Sequence, residues 1–249
     1  MLAAIVCAET PWQSVQRPFE KKLSFAISDM SVILERIHMK NKEKYVIEII
    51  ERLKKEYPET TCTLEYEDSW KLLVSVRLAA QCTDERVNKI VPALFEKYPD
   101  IRSLADASVE DIEKIIRPCG LSNSKARDIS GCMKMLRDEF DCKVPDNMND
   151  LLKLPGVGRK SANLVIGDIF KKPAIVTDTH CIRLSNRMGL VENIKEPKKV
   201  EMELLKIIPP DESNNFCHRL VDHGRAVCTA RTNPKCDICC LNDICEKNI

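Results

Sequence analysis

Glycine is scarce in this sequence, with only seven among 249 residues, at positions 120, 131, 156, 158, 167, 189 and 224. A β-sandwich or a doubly wound α/β fold needs more turn glycines than that, so an all-α fold is expected before any motif is read. Long apolar runs are missing too, and nothing reaches the roughly 18–20 consecutive residues that a membrane span requires. The start, Met1 to Cys7, is apolar but has no basic segment ahead of it, which makes a poor signal peptide. Residues 1–40 carry five basic and four acidic residues, against the acid-poor pattern of a transit peptide, and read as an N-terminal extension without an assignable role. A dominant charge is the third absence. At a net +1 the chain is no polycation, and a nucleic acid would have to meet a local basic face. Lys160 to Lys199 offers eight Lys or Arg against four acids, which fits such a face or an ordinary solvated one.

Cysteine is the exception to this economy. There are thirteen, an odd number, eight of them scattered and five crowded into the last 22 residues. Without a signal peptide or even spacing they do not read as a disulfide framework, so a reducing compartment with one dedicated cysteine site is expected. The rest of the composition, 44% hydrophobic and 31% charged, is that of a soluble chain long enough for one large domain or two small ones.

Helical periodicity and its punctuation run along most of the chain. Expected helices cover Asn41–Tyr57, Trp70–Ala80, Asp84–Tyr98, Val109–Arg117, a long one ending at Phe140, Arg159–Phe170, Thr179–Met188, Glu196–Ile208 and Ser213–Cys228. Asp68 or Ser69, Asp84, Ser108, Ser122 or Ser124, and Asp178 are the expected caps. Strands do not alternate with these segments, and no repeat is apparent.

One stretch carries more than periodicity. Leu151 to Val165 reads as helix, tight turn, helix, with Pro155-Gly156-Val157-Gly158 at the turn and Arg159-Lys160-Ser161 opening the second helix. Gly156 and Gly158 allow positive φ and close backbone approach, and a helix start offers unpaired N–H groups to an anion. Such a turn either packs two helices or also holds a single DNA phosphate, without reading sequence. Lys160 stands where the positive end of the helix dipole, helped by local burial, disfavours an ammonium. Asp178, eighteen residues on, is a helix cap on local grounds.

Leu154-Pro-Gly-Val-Gly-Arg-Lys-Ser-Ala-Asn163, followed by Asp178-Thr179-His180, resembles the endonuclease III family of DNA glycosylases over roughly residues 42–249. The resemblance implies a two-lobed helix–hairpin–helix glycosylase fold, with a helical bundle over 62–172 and a second domain formed by 41–61 and 173–249. It implies excision of oxidised pyrimidines from double-stranded DNA and cleavage of abasic strands, with Lys160 as Schiff-base nucleophile and Asp178 stabilising the sugar cation. Gln81 would fill the gap left by the extruded nucleotide and Leu121 would wedge the opposite strand. Arg159, Ser161 and His180 are candidates on the phosphate side. Arg77-Leu78-Ala79 departs from the more apolar triplet common in relatives and puts the local packing in question. The adenine-specific branch, which lacks the lysine and uses a glutamate on the early helix, fits less well, since Trp70–Gln81 holds no acid. A purely phosphate-clamping, non-catalytic module is the other rival.

Cys228-x7-Cys236-x2-Cys239-x5-Cys245 could hold a [4Fe–4S] cube or, alternatively, a tetrahedral zinc. The pattern is similar to the family's iron–sulfur motif but one residue longer in the first loop, and Cys240 competes with Cys239 as ligand. Arg231 and Lys235, in and beside that loop, would then face phosphate. A monomer is expected, located with the DNA: cytoplasmic, or nuclear or mitochondrial in a eukaryote, and not on a membrane.

Overall fold

Each turn of the chain is set by a local signal, and the helices follow from them. The structure, a computed structural model, describes residues 41–230 and 233–249, so the extension 1–40 and Arg231 lie outside the described residues. Among the described residues there is no strand, and no helix is long and apolar enough to cross a membrane.

Helix α1 covers 41–56 and buries Ile49, Ile50 and Leu53. Helix α2, Ser69–Ala79, buries Leu72, Leu73, Val74 and Leu78, as its mostly apolar sequence demands. Burying each such leucine contributes about 1.5–3 kcal/mol before the entropy of ordering is subtracted. Asp68 sits at its N-cap but makes no side-chain capping bond. Helix α3, Asp84–Lys97, is capped by Thr83, whose side chain accepts the Arg86 N–H. Asp84, expected as the cap, is the first helical residue instead.

Helix α4, Ile101–Asp106, was not anticipated from periodicity because six residues are too few to show it; the reciprocal Asp100–Ser103 capping box starts it. Ser108 caps α5, Val109–Ile116, as expected. A single 3₁₀ turn, Arg117–Cys119, then leads through Gly120 and Leu121 into α6, Ser122–Glu139. No side chain caps α6: Ser122 donates to Glu113 and Ser124 to the Leu121 carbonyl, which corrects the expectation that one of them would. The short α7, Met148–Leu151, and α8, Arg159–Asp168, form the hairpin. The largest buried apolar cluster runs from Leu64 to Ala174 and joins α2 through α8.

Beyond the extended link Ala174–Thr177 come α9, Thr179–Arg187; α10, Pro197–Ile207; and α11, Ser213–Ala226. Their inner faces bury Leu184, Val200, Leu204, Phe216 and Leu220. The end of α1 meets α11, with Tyr57 Oη 3.1 Å from His223 Nδ1 and Arg219 donating to the Tyr57 carbonyl at 3.3 Å. The described residues thus form an all-α fold.

Candidate active site and cysteine loop

Two helix starts face one cavity of about 390 Å³. Lys160 is the second residue of α8 and Asp178 is the N-cap of α9, and both line this cavity together with Ser161, His180, His218 and Asp84. The extended link sets their separation, because buried Ile175 and Val176 carry the chain from the end of α8 to the start of α9. Asp178 Oδ1 accepts the Cys181 N–H at 2.7 Å, so the carboxylate caps its helix while facing the cavity. Lys160 is exposed, which corrects the expected local burial; an open cavity mouth leaves its side chain in water.

Behind the lining residue His218 lies a polar contact of which the sequence had given little sign. Asp168, buried in the last turn of α8, receives His218 Nε2 at 2.9 Å and Asn214 Nδ2 at 2.6 Å. Burial opposes the Asp168 carboxylate, yet the bonds from His218 and Asn214 outweigh it and hold its pKa below the ordinary value. Burial lowers the His180 pKa, Asp178 opposes that shift, and the nearby cations Arg183, Arg225 and Lys160 reinforce it. Arg183 Nη2 lies 3.2 Å from His180 Nδ1, so that nitrogen accepts and the ring proton sits on Nε2. Asp84 takes hydrogen bonds from Thr63 at 2.5 Å and Arg225 at 3.4 Å across the cavity rim.

The hairpin is braced from beneath. Gly156 adopts φ 76°, and a Cβ there would lie 2.7 Å from Asp128 Cβ and 2.9 Å from Arg77 Cδ. Arg77 Nε donates to Asp128 Oδ2 at 2.7 Å, tying α2 to α6 under the turn, so the departure at this position carries a specific contact. Gly158 does not use the positive φ open to it: it is extended at φ −97°, ψ 175°, and nothing lies within 4 Å of its missing Cβ. Arg159 differs from the expectation. Its guanidinium forms a fork on Glu201, at 2.6 and 2.8 Å, and Glu201 is only 2% exposed, so its charge ties α8 to α10 rather than standing free for phosphate.

Gln81 and Leu121 share an unusual backbone. Both are exposed and left-handed, at φ 55° and 49°, one just past α2 and the other just before α6. Large side chains are held in that region only where the surroundings enforce it. Sequence reading missed Lys125, whose ammonium donates to the Leu78 and Cys119 carbonyls a few residues ahead of these two. Its place at one end of the buried face of α6, with Ile129, Cys132, Met133 and Leu136, was the available signal.

In the terminal loop, Cys228, Cys236, Cys239 and Cys245 line one pocket, whereas Cys240 is outside that lining and its carbonyl accepts from Arg52 at 3.1 Å. Three N–H groups point at the sulfurs: Arg187 at Cys228 (3.3 Å), Leu241 at Cys239 (3.4 Å) and Lys247 at Cys245 (3.4 Å). Among the described residues, no three His, Cys, Asp or Glu side chains converge closely enough to share a single metal ion. Lys235 is exposed and donates to the Ala226 carbonyl at 3.2 Å, at the end of α11.

Comparison with known proteins extends these observations. Residues 74–210 match the HhH-GPD superfamily of base excision DNA repair proteins. Endonuclease III of Synechocystis sp. is 45% identical over 217 residues, 87% of this chain and 97% of that protein. A non-covalent endonuclease III–DNA complex superposes with TM-score 0.77 at 38% identity, covering 82% of this chain and 95% of the other. A trapped endonuclease III–DNA covalent intermediate superposes with TM-score 0.77 at 38% identity, covering 82% and 96%.

Proposed function

Because the chain belongs to the endonuclease III family of the HhH-GPD base excision repair proteins, we propose that it excises oxidised pyrimidines from duplex DNA and cleaves the strand through Lys160. The single observation that carries this reading is the shared cavity of Lys160 and Asp178, whose roughly 390 Å³ suits one nucleotide base and sugar.

The chemistry follows from those two groups. With the damaged nucleotide extruded, the Lys160 amine attacks C1′, the glycosidic bond breaks and the base leaves with a proton. Asp178 faces the positive charge that develops on the sugar. The nitrogen lone pair then opens the sugar ring: the C1′–O4′ bond breaks, O4′ takes up a proton from solvent, and the protonated Schiff base so formed acidifies the 2′ hydrogen; removing that hydrogen expels the 3′ phosphate by β-elimination. Because Lys160 is exposed in the free protein, exclusion of water from the amine arrives with the DNA.

Gly156 and Gly158 present the α8 N-terminus to a backbone phosphate, with Ser161 and His180 alongside. The open space over Gly158 suits that approach. Gln81 and Leu121 enter the duplex. We take the lobes to divide as 62–172 against 41–61 with 173–249. Cys228, Cys236, Cys239 and Cys245 would hold a [4Fe–4S] cluster, which when bound supplies iron–thiolate bonds that staple the loop. Support comes from four thiols around one pocket and N–H donors on three of the sulfurs, a donor set that iron–thiolate bonds use. Lys235 and Arg231 would then flank DNA.

Borohydride trapping on an abasic duplex tests the proposal. Wild type should form a covalent adduct that Lys160→Gln abolishes, and a wild type that binds without trapping would reduce the protein to a phosphate clamp. Asp178→Asn should slow single-turnover base release with DNA affinity retained.

A further inference from the structure

Lys125 is fully buried, at 0% exposure, one turn into α6. Its ammonium donates to two backbone carbonyls, Leu78 O at 2.8 Å and Cys119 O at 2.8 Å. Leu78 precedes Gln81 by three residues and Cys119 precedes Leu121 by two. Both carbonyls sit where regular structure stops. The Cys82 N–H, which would continue α2 onto Leu78 O, goes to Ala79 O instead, and Gly120 and Leu121 leave the 3₁₀ turn at φ 69° and 49°. One cation therefore satisfies the carbonyls of two interrupted segments and meets their negative ends.

Charge here is not the cheapest solution for a core. Burial disfavours the ammonium and pulls its pKa below that of an ordinary lysine, and nearby Arg77 works in the same direction. The neighbouring Cys82 and Cys119 counteract this. An apolar side chain of the same length would fill the volume without that penalty. It could not hold two backbones at a fixed separation. Lys125 is absent from the lining of the cavity that holds Lys160 and Asp178, so it does not touch the reacting atoms.

We propose that Lys125 is a positioning residue that couples the turn bearing Gln81 to the turn bearing Leu121, so that both side chains enter the duplex as one rigid unit during extrusion. The inference rests on the repair function proposed above and assigns Lys125 to opening the helix, with no part in the steps at C1′.

The test compares two substrates in single-turnover excision: a damaged pyrimidine paired in a duplex, and the same lesion opposite an abasic gap, where no partner base has to be displaced. Lys125→Met keeps the volume and removes the donor; Lys125→Arg keeps a cation and is the milder change should the first variant fail to fold. On the paired lesion, Lys125→Met should lose about tenfold, the scale of a partly lost extrusion device, with less than about a twofold loss opposite the gap. Lys125→Arg should fall in between with the same selectivity. A 2-aminopurine opposite the lesion should also brighten less with either variant than with wild type. Equal losses on both substrates, or none on the paired one, overturn the coupling role. A wild type that neither excises nor traps would sink the repair function itself, whereas equal losses beside an active wild type sink only the role of Lys125.

Discussion

The hairpin at Gly156 and the loop that carries the terminal cysteines are both short connections, yet they are held by opposite means. Under and around the hairpin, long-range contacts leave little freedom: Arg77 pairs with Asp128, Arg159 forks onto buried Glu201, and Gly156 admits no Cβ. The loop has one three-residue 3₁₀ turn, Cys236–Ile238, and four half-buried thiols around a pocket, hung from arginine side chains that reach its carbonyls and sulfurs. A phosphate-gripping turn can be organised in advance by packing alone. A loop without an apolar core of its own has to borrow rigidity, and bonds from thiolates to a cluster would supply it.

Breaking the loop should have the largest effect on stability. Cys236→Ser should lose iron, sulfide and the visible charge-transfer band and lower the melting temperature by roughly 10 °C, in line with a structural metal site. Cys240→Ser should retain all of these, since its side chain is outside the pocket. Iron loss in both variants alike would overturn the distinction between the neighbouring cysteines.

Next comes the hairpin brace. Arg159→Ala leaves the Glu201 carboxylate buried without its partner and should cost about 3 kcal/mol in urea unfolding, toward the lower end for broken buried pairs because the arginine is partly exposed. Lys160→Gln, at an exposed position one residue away, should change stability by less than about 0.5 kcal/mol while abolishing the adduct. Similar unfolding midpoints for the two variants would remove the brace from the account.

The two glycines divide in the same way, on a smaller scale. Gly156→Ala meets a left-handed φ and a contact of 2.7 Å, and should cost about 2 kcal/mol. Gly158→Ala should stay within about 0.5 kcal/mol in stability and instead weaken DNA binding, read by a titration at fixed salt.

The smallest effect concerns acid. Asp168 has a depressed folded pKa, so its contribution is present above the unfolded value of about 3.9 and drains as pH falls through the folded one. Asp168→Asn should flatten the stability curve below about pH 4 and leave the neutral region's slope unchanged, as measured by unfolding at a series of pH values.

Legibility followed sequence distance. Ser108 and Asp178 cap helices they directly precede, and Lys160 and Asp178 open the two helices that face the cavity, so local spacing and a family motif sufficed to single them out. The readings that changed depended on partners far along the chain. Arg159 is 42 residues from Glu201, and His218 is 50 from Asp168, distances across which no local pattern speaks. Asp84 lost its capping role to Thr83 because one residue either way leaves the periodicity unaltered. Helix α4 is too short to produce a periodic signal at all.

By itself, then, the chain's order of residues determined the longer helical segments, where most of them stop, and that an amine and a carboxylate open two successive helices, because each of these depends on neighbours within a turn or two. Only packing decided that Lys160 stays in water, that Arg159 is already engaged, that Cys239 rather than Cys240 faces the pocket, and that one buried lysine bridges two left-handed turns. Exposure and long-range hydrogen bonds belong to the three-dimensional arrangement of helices, and no spacing along the chain encodes them.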